Sequence, residues 1–297
     1  MRLSRQRLLR LTAFALLVGL LAYLGVNASL AWAYVDALTH PACQTDPPPI
    51  SALPPPQEHL LTTRDGLALR AWYYPAQNGA AILALGGLNG SLGERLPEIS
   101  FLVQAGYGVL QIDSRACTAP PAPVTLGADE ILDAAAGLDF LLHRPEVKNV
   151  GAYGFSMGGV TAIRAAARYP QITAILNDGG YFNLGDDFTE PGSPKPIQRS
   201  LFLHLVAACF WLQSGSNPWQ ISPVDDLPAL SPRPVLLIFG EKEARSGRAN
   251  LQYEAAQEPK QLWVVPGGGH GGNHQVAPQA YEQRVLDFFD QALLERK

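Results

Sequence analysis

Val150-Gly151-Ala152-Tyr153-Gly154-Phe155-Ser156-Met157-Gly158-Gly159 runs from an apolar strand pattern into Gly-x-Ser-x-Gly and on into an alanine-rich stretch with helical spacing, Met157 to Arg168. A strand that feeds a helix through one tight turn forces the turn residue into a conformation most side chains avoid, so the turn needs small neighbours. Gly154 and Gly158 supply them. Such a turn leaves the Ser156 hydroxyl exposed at the end of the strand. The same letters also suit a plain glycine-rich turn, and the surrounding pattern decides between the two.

Outward from this turn, strand-like and helix-like segments alternate. Leu60 to Thr63 and Leu67 to Tyr74 read as two strands joined at Asp65-Gly66, a strong hairpin signal. Ala81 to Leu85 is a short buried strand, Leu92 to Gln104 a helix, and Gly108 to Ile112 another strand. A longer helix follows over Ala128 to His143, with Asp129 and Glu130 placed to meet its N-terminal dipole. After the Ser156 unit come the strands Thr173 to Leu176, Val235 to Phe239 and Gln261 to Val265, and a closing helix over Gln275 to Leu294. This alternation implies the α/β class: a mostly parallel, eight-stranded sheet flanked by helices on both faces, with the antiparallel hairpin at one edge.

Residues 179–232 interrupt the pattern for longer than a simple connection in a compact domain requires. Their centre, Leu201 to Leu212, is apolar apart from His204 and too short to span a bilayer. The insertion therefore reads as a cap over the C-terminal edge of the sheet, lining an apolar pocket or touching lipid. An ordinary buried helix is the alternative.

The 297 residues, 47% hydrophobic and 16% charged, suffice for one core-bearing domain behind an N-terminal appendage. The natural division is 1–36 as a transmembrane anchor or signal, 37–56 as a proline-rich linker, and 57–297 as the main domain with the cap insertion 179–232. From Leu11 to Val35 the chain carries no charge. A helix of that length, at about 1.5 Å per residue, exceeds the roughly 30 Å of a bilayer core. Arg2, Arg5, Arg7 and Arg10 precede it and the next arginine or lysine is Arg64, so the N-terminus is expected in the cytoplasm and the domain outside, as a single-pass protein of the cell membrane. Secretion after cleavage at Ala31-Trp32-Ala33 is the rival reading. Setting those four arginines aside leaves 18 basic against 26 acidic side chains, which argues against nucleic acid as a partner. In an extracytoplasmic setting Cys43 and Cys117 could pair and leave Cys209 as a buried thiol; three unpaired thiols are the alternative. Pro41, Pro47 to Pro49 and Pro54 to Pro56 read as an extended spacer that holds the domain away from the membrane.

Three chemically capable side chains fall after strands, in the order Ser156, Glu243, His270, and ligands of open parallel sheets bind at those strand ends. An alcohol of ordinary pKa needs a base to take its proton and return it to a leaving group, and an imidazole does both near neutral pH. His270, within Gly267-Gly268-Gly269-His270-Gly271-Gly272, is the expected base; His274 is its competitor and is expected to open the last helix. A carboxylate must fix the imidazole tautomer. Glu243, in Gly240-Glu241-Lys242-Glu243, is the first choice, Asp178 the alternative, and Glu241 a lesser candidate. Backbone N–H groups of Met157 and Leu88 are the expected oxyanion donors, the second from Gly86-Gly87-Leu88-Asn89-Gly90.

With these motifs, together with Ile112-Asp113-Ser114-Arg115 and Gly269-His270-Gly271, the chain from about Gln57 onward resembles the α/β-hydrolase superfamily. It is similar above all to the serine aminopeptidase, monoacylglycerol-lipase-like and dienelactone-hydrolase-like branches. Two departures stand out: Gly86-Gly87 occupies a place where those branches usually carry His-Gly, and Glu243 one where they usually carry Asp. The resemblance implies an α/β-hydrolase fold and a serine hydrolase that cleaves carboxylic esters through an acyl-enzyme, with Ser156, His270 and Glu243 as its triad. It implies no cofactor. The expected partners are a small-molecule ester or acyl substrate and, through the N-terminal helix, membrane lipid. An acyltransferase or peptidase using the same triad, or an inactive hydrolase-fold binding protein, remains as an alternative.

Overall fold

Eight strands hydrogen-bond into one sheet in the computed structural model of this chain, which describes residues 5–46, 50, 52–88, 90–93, 95–189 and 197–295. Arg2, Pro47, Pro48, Pro49, Asn89 and residues 190–196 of the expected cap lie outside the described residues. The strands are β1 (Gln57–Thr62), β2 (Ala68–Tyr74), β3 (Ala80–Leu85), β4 (Gly108–Ile112), β5 (Asn149–Phe155), β6 (Ile172–Asp178), β7 (Val235–Gly240) and β8 (Lys260–Val265). Their order is β1-β2-β4-β3-β5-β6-β7-β8. β2 runs antiparallel to both β1 and β4, and every other pair is parallel. β4 and β5 flank β3 on opposite sides, so the winding direction reverses there, which opens a crevice at the carboxyl ends of the central strands.

Strand periodicity splits the core into two layers. Ala81, Leu83 and Leu85 of β3 pack with Ala152, Ile175 and Leu237 on one face; Ile82 and Ala84 pack with Tyr153, Leu176 and Ile238 on the other. The helices in chain order are α1 (Arg5–Thr39), α2 (Leu96–Gln104), α3 (Glu130–Leu142), α4 (Met157–Arg168), α5 (Leu184–Thr189), α6 (Ile197–Ser214), α7 (Pro223–Asp226), α8 (Glu241–Ala244), α9 (Arg248–Ala255), α10 (Asn273–Val276) and α11 (Pro278–Phe289). α3, α4 and α9 cover the first face, α2 and α11 the second.

Several boundaries differ from the sequence reading for local reasons. The helix expected from Leu92 begins only at Leu96, with Pro97 in its first turn where a missing N–H is harmless. Glu130 does not face the α3 dipole from outside. Its carboxylate folds back to accept the N–H groups of Thr125 and Gly127 at 2.8 and 2.6 Å. The last helix is broken at Ala277, where Pro278 disfavours a helical residue before it, and the chain beyond Phe289 continues as a wider turn over Asp290–Leu294.

The N-terminal helix is 35 residues long and runs on to Thr39, past the boundary expected at residue 36. The segment after it does not stand the domain off as a spacer. Val124 N–H donates to Thr39 O at 2.7 Å, Cys43 is joined to Cys117, and Arg70 bridges Asp46 at 2.9 Å and Asp113. Arg115 beside the disulfide is buried against Asp133 and Asp65. The described part of the linker is thus fastened to the β2–β4 end of the sheet, and Cys209 is a buried free thiol on α6.

The disulfide closes a loop between residues 74 apart. Replacing Cys43 and Cys117 together by Ser is expected to destabilise the full chain by about 2–4 kcal/mol, read as a lower urea midpoint in detergent. An unmoved midpoint would show that this tie adds nothing to stability.

Candidate active site

Ser156 sits at φ 53° and ψ −120°, the strained turn between β5 and α4. Three glycines make that turn possible. A Cβ on Gly154 would lie 2.1 Å from Gly158 O, one on Gly158 would lie 2.1 Å from Leu85 O, and one on Gly159 would lie 2.0 Å from Asn177 Oδ1. The backbone of β5, the start of α4 and the end of β3 therefore touch directly. Ser156 N–H donates to Asp178 O at 2.8 Å, which ties the turn to the neighbouring strand β6.

Beyond β7 the chain turns into α8, and beyond β8 it forms the glycine-bordered loop that carries His270. These two segments are stitched together. Gly267 N–H donates to Glu241 Oε2 at 2.8 Å, Lys242 N–H donates to Gly268 O at 3.2 Å, and a Cβ on Gly240 would lie 2.3 Å from Gly269 N. Glu241 is thereby occupied at the loop's base, and that backbone hydrogen bond lowers its pKa. Glu243 points the other way. Its Oε2 accepts from Gly240 N–H at 2.8 Å, and its Oε1 accepts from His270 Nδ1 at 2.7 Å.

Because a carboxylate only accepts, Nδ1 carries the proton of the neutral imidazole. Nε2 is left with its lone pair toward Ser156 Oγ, 2.9 Å away. The hydrogen bond to Glu243 raises the His270 pKa above its ordinary value, against the opposing effect of burial. The structure thus brings Ser156, His270 and Glu243 into one hydrogen-bonded series.

It does not bring Asp178 to the imidazole. Asp178 is 3% exposed, and its carboxylate accepts from Asn273 Nδ2 at 2.8 Å and Tyr281 OH at 2.7 Å beneath the site. Burial pushes its pKa up. His274 lies in α10 and meets Glu282 at 3.0 Å, away from Ser156. Met157 is the first residue of α4, whose leading N–H groups have no acceptor within the helix. The turn bearing Leu88 stands beside it: a Cβ on Gly87 would lie 3.7 Å from Ser156 Cβ.

Several supporting residues escaped the sequence reading. A side chain at Gly179 would be strained by φ 72° and would crowd the pair, since a Cβ there would lie 3.1 Å from Glu243 Oε1 and 3.2 Å from His270 Nδ1. The Gly-Gly pair directly after β6 was the signal for this. Phe155 packs its ring 5.1 Å from the His270 ring, and the Arg95 guanidinium lies 3.7 Å from the Phe155 centroid on a cation–π contact. Arg95 pairs in turn with Glu98. A buried amide pair, Asn177 with Gln252 at 3.2 Å, pins the turn at Gly180. Gly179 apart, none of these carries a sequence pattern of its own.

Two cavities flank the series. One is lined by Gly86, Gly87, Gly90, Arg95 and Met157, the other by Gly179, Tyr181, Phe182, Arg248 and His270. Above them, Met157 and Leu88 join an apolar cluster with Val206 and Phe210 of α6 and Ala31 and Val35 of α1.

Residues 82–284 match the model of the alpha/beta hydrolase family. The chain is 26% identical over 297 residues to the uncharacterized protein MT2364 of Mycobacterium tuberculosis, covering 96% of this chain and 94% of that one. It is 24% identical over 248 residues to the uncharacterized protein YfhR of Escherichia coli K12, covering 78% of this chain and 80% of that one. Among solved structures it resembles the esterase Pf2001 of Pyrococcus furiosus, with a TM-score of 0.66 at 24% identity over 86% of this chain and 98% of that one. A family match over two thirds of its length, on the fold and strand-end arrangement described above, makes this chain a member of the alpha/beta hydrolase family.

Proposed function

We propose that this protein is a membrane-anchored serine hydrolase that cleaves carboxylic esters through an acyl-enzyme. The observation that carries the reading is the unbroken series Glu243 Oε1, His270 Nδ1, His270 Nε2, Ser156 Oγ, with contacts of 2.7 and 2.9 Å. Each member does what the next step requires. Ser156 Oγ attacks the ester carbonyl while His270 Nε2 takes its proton, and Glu243 stabilises the imidazolium that forms. The negative oxygen of the tetrahedral intermediate is met by the N–H groups of Met157 and Leu88. His270 then gives the proton to the departing alcohol. Water enters, loses a proton to His270 and releases the acid from Ser156, so one ester and one water become one acid and one alcohol.

The apolar cluster of Met157, Leu88, Val206 and Phe210 beside the nucleophile supports an apolar acyl part for the substrate. An intact series supports an enzyme over a binding protein that has only the fold. The Cys43–Cys117 disulfide supports an oxidising, extracytoplasmic setting for the domain. α1 is long and apolar enough to cross a membrane, with Arg5, Arg7 and Arg10 at its cytoplasmic end. Transfer of the acyl group to an alcohol or amine uses the same residues, and product analysis with and without such acceptors separates it from hydrolysis.

Ser156→Ala is expected to lower kcat/KM on short p-nitrophenyl esters by at least about 10³-fold while leaving thermal stability near that of wild type. Retained hydrolysis would overturn the assignment of the nucleophile. Only the neutral imidazole accepts the proton, so kcat/KM should fall as pH drops through the raised pKa of His270. Glu243→Gln removes the main cause of that rise. The acid limb of its pH profile should move to lower pH and kcat should fall by about 10²–10⁴-fold; a limb that stays in place contradicts the role of Glu243.

A further inference from the structure

The surface of α1 changes character part of the way along. Among its described side chains none before Leu24 is even half-buried, whereas Leu24, Ala28, Ala31, Val35 and Leu38 form one inward stripe. That three-and-four spacing is the spacing of a packed helix seam. The uncharged stretch begins at Leu11, so its free part, Leu11 to Tyr23, is only about 20 Å long at 1.5 Å per residue, and a crossing of roughly 30 Å must take in the first turns of the stripe as well.

The stripe packs on α6. Ala31 and Val35 share a cluster with Val206, Cys209 and Phe210, and Gln213 Nε2 donates to Trp32 O at 2.9 Å. On the other side of α6, His204, Ala208, Trp211 and Leu212 lie on one face and are exposed, Trp211 at 50% and Leu212 at 76%. From Leu201 to Leu212 the helix carries no charge apart from His204. The α1 surface at the same level is also apolar and aromatic, with Leu30, Trp32 and Tyr34 exposed.

The level of this patch is set by α1. With Arg10 at one membrane face, the roughly 20 residues needed to cross end near Leu30. Trp32 and Tyr34 then fall in the interface that aromatic residues favour. The contact between Gln213 and Trp32 puts Trp211 and Leu212 at that same depth. The disulfide, the bond from Val124 to Thr39 and the Arg70–Asp46 pair hold the end of α1 against the domain, so α6 cannot lift away independently.

We propose that the outer face of α6 rests in the leaflet that α1 exits, and that the site draws from it a bilayer-resident ester of a long-chain acid. The occupant of the face is phospholipid acyl chain, continuous with the lipid around α1. Met157 and Leu88 belong to the same apolar cluster as Val206 and Phe210, so apolar side chains join the buried side of α6 to the surroundings of Ser156, and these must part to admit an acyl chain. This deepens the hydrolase reading and rests on α1 spanning the membrane.

The test uses the full chain in phosphatidylcholine nanodiscs. A bimane on Leu212→Cys, in a Cys209→Ala background, is expected to be quenched by brominated lipid about as strongly as one on Leu30→Cys, and far more than one on Gln283→Cys of α11. Leu212→Glu should slow hydrolysis of a long-chain monoacyl ester in the nanodisc at least tenfold and leave a water-soluble acetate ester unaffected. An unquenched label at 212, or equal long-chain rates in wild type and Leu212→Glu, overturns the proposal; an unquenched label together with a concentration-dependent dimer assigns the face to a second copy instead. Should wild type cleave neither ester, the hydrolase reading fails while the label still decides the docking. Should Leu30 also escape quenching, the spanning reading fails and the docking falls with it.

Discussion

A single backbone conformation organises the site. Ser156 adopts φ 53°, where a residue with a side chain is held at a cost of roughly 1–3 kcal/mol unless its surroundings leave it no other path. Here the surroundings are backbone atoms. Gly154, Gly158 and Gly159 let the ends of β3 and β5, the side chain of Asn177 and the start of α4 approach at distances no Cβ allows. The strain is offset by the packing of α4 on β5 and β6, and its result is a hydroxyl standing clear of the sheet edge. Everything else at the site is arranged around that hydroxyl: the His270 loop, the Glu243 turn and the Gly86-Gly87 turn all converge on it.

Two carboxylates lie near the imidazole, and their surroundings separate their roles. Glu243 is half-buried, is held at one oxygen by Gly240 N–H, and offers the other to His270. Asp178 is fully enclosed and is satisfied by Tyr281 and Asn273, while its main-chain oxygen holds Ser156 N–H. The longer reach of Glu suits this arrangement, since the acid is delivered from the first turn of α8 and not from an extended loop. Gly179 completes it by leaving open the space in which acid and imidazole meet.

Much of this was legible in the sequence because the chemistry is local. The strand, the glycines and the alanine-rich helix around Ser156 are contiguous, the inner strands carry apolar runs and the Asp65-Gly66 turn marks the edge hairpin, so the sheet and the order Ser156, Glu243, His270 followed directly. What the sequence hid was pairwise and distant. The choice of Glu243 over Asp178 and Glu241 depends on hydrogen bonds between segments over twenty residues apart, among them Gly267 with Glu241 and Tyr281 with Asp178. The stacking of Phe155 between His270 and Arg95 has no periodic signature. The proline-rich linker misled for a related reason: composition reports that a segment is extended, and only the partners of Cys43, Asp46 and Thr39 show that it lies against the domain.

The fastening of α1 to the cap and the strain at Ser156 meet in one apolar cluster through Met157, so the helix at the N-terminus packs into the apolar layer that adjoins the site. Catalysis nevertheless stands on the reactivity of one oxygen. Its most direct measurement is peptide mapping by mass spectrometry after treatment of the full-length protein with an active-site-directed fluorophosphonate. A single phosphonyl adduct on Ser156 is expected, formed much more slowly when His270 is replaced by Ala. An adduct confined to another residue, or no adduct on a folded protein, would contradict it.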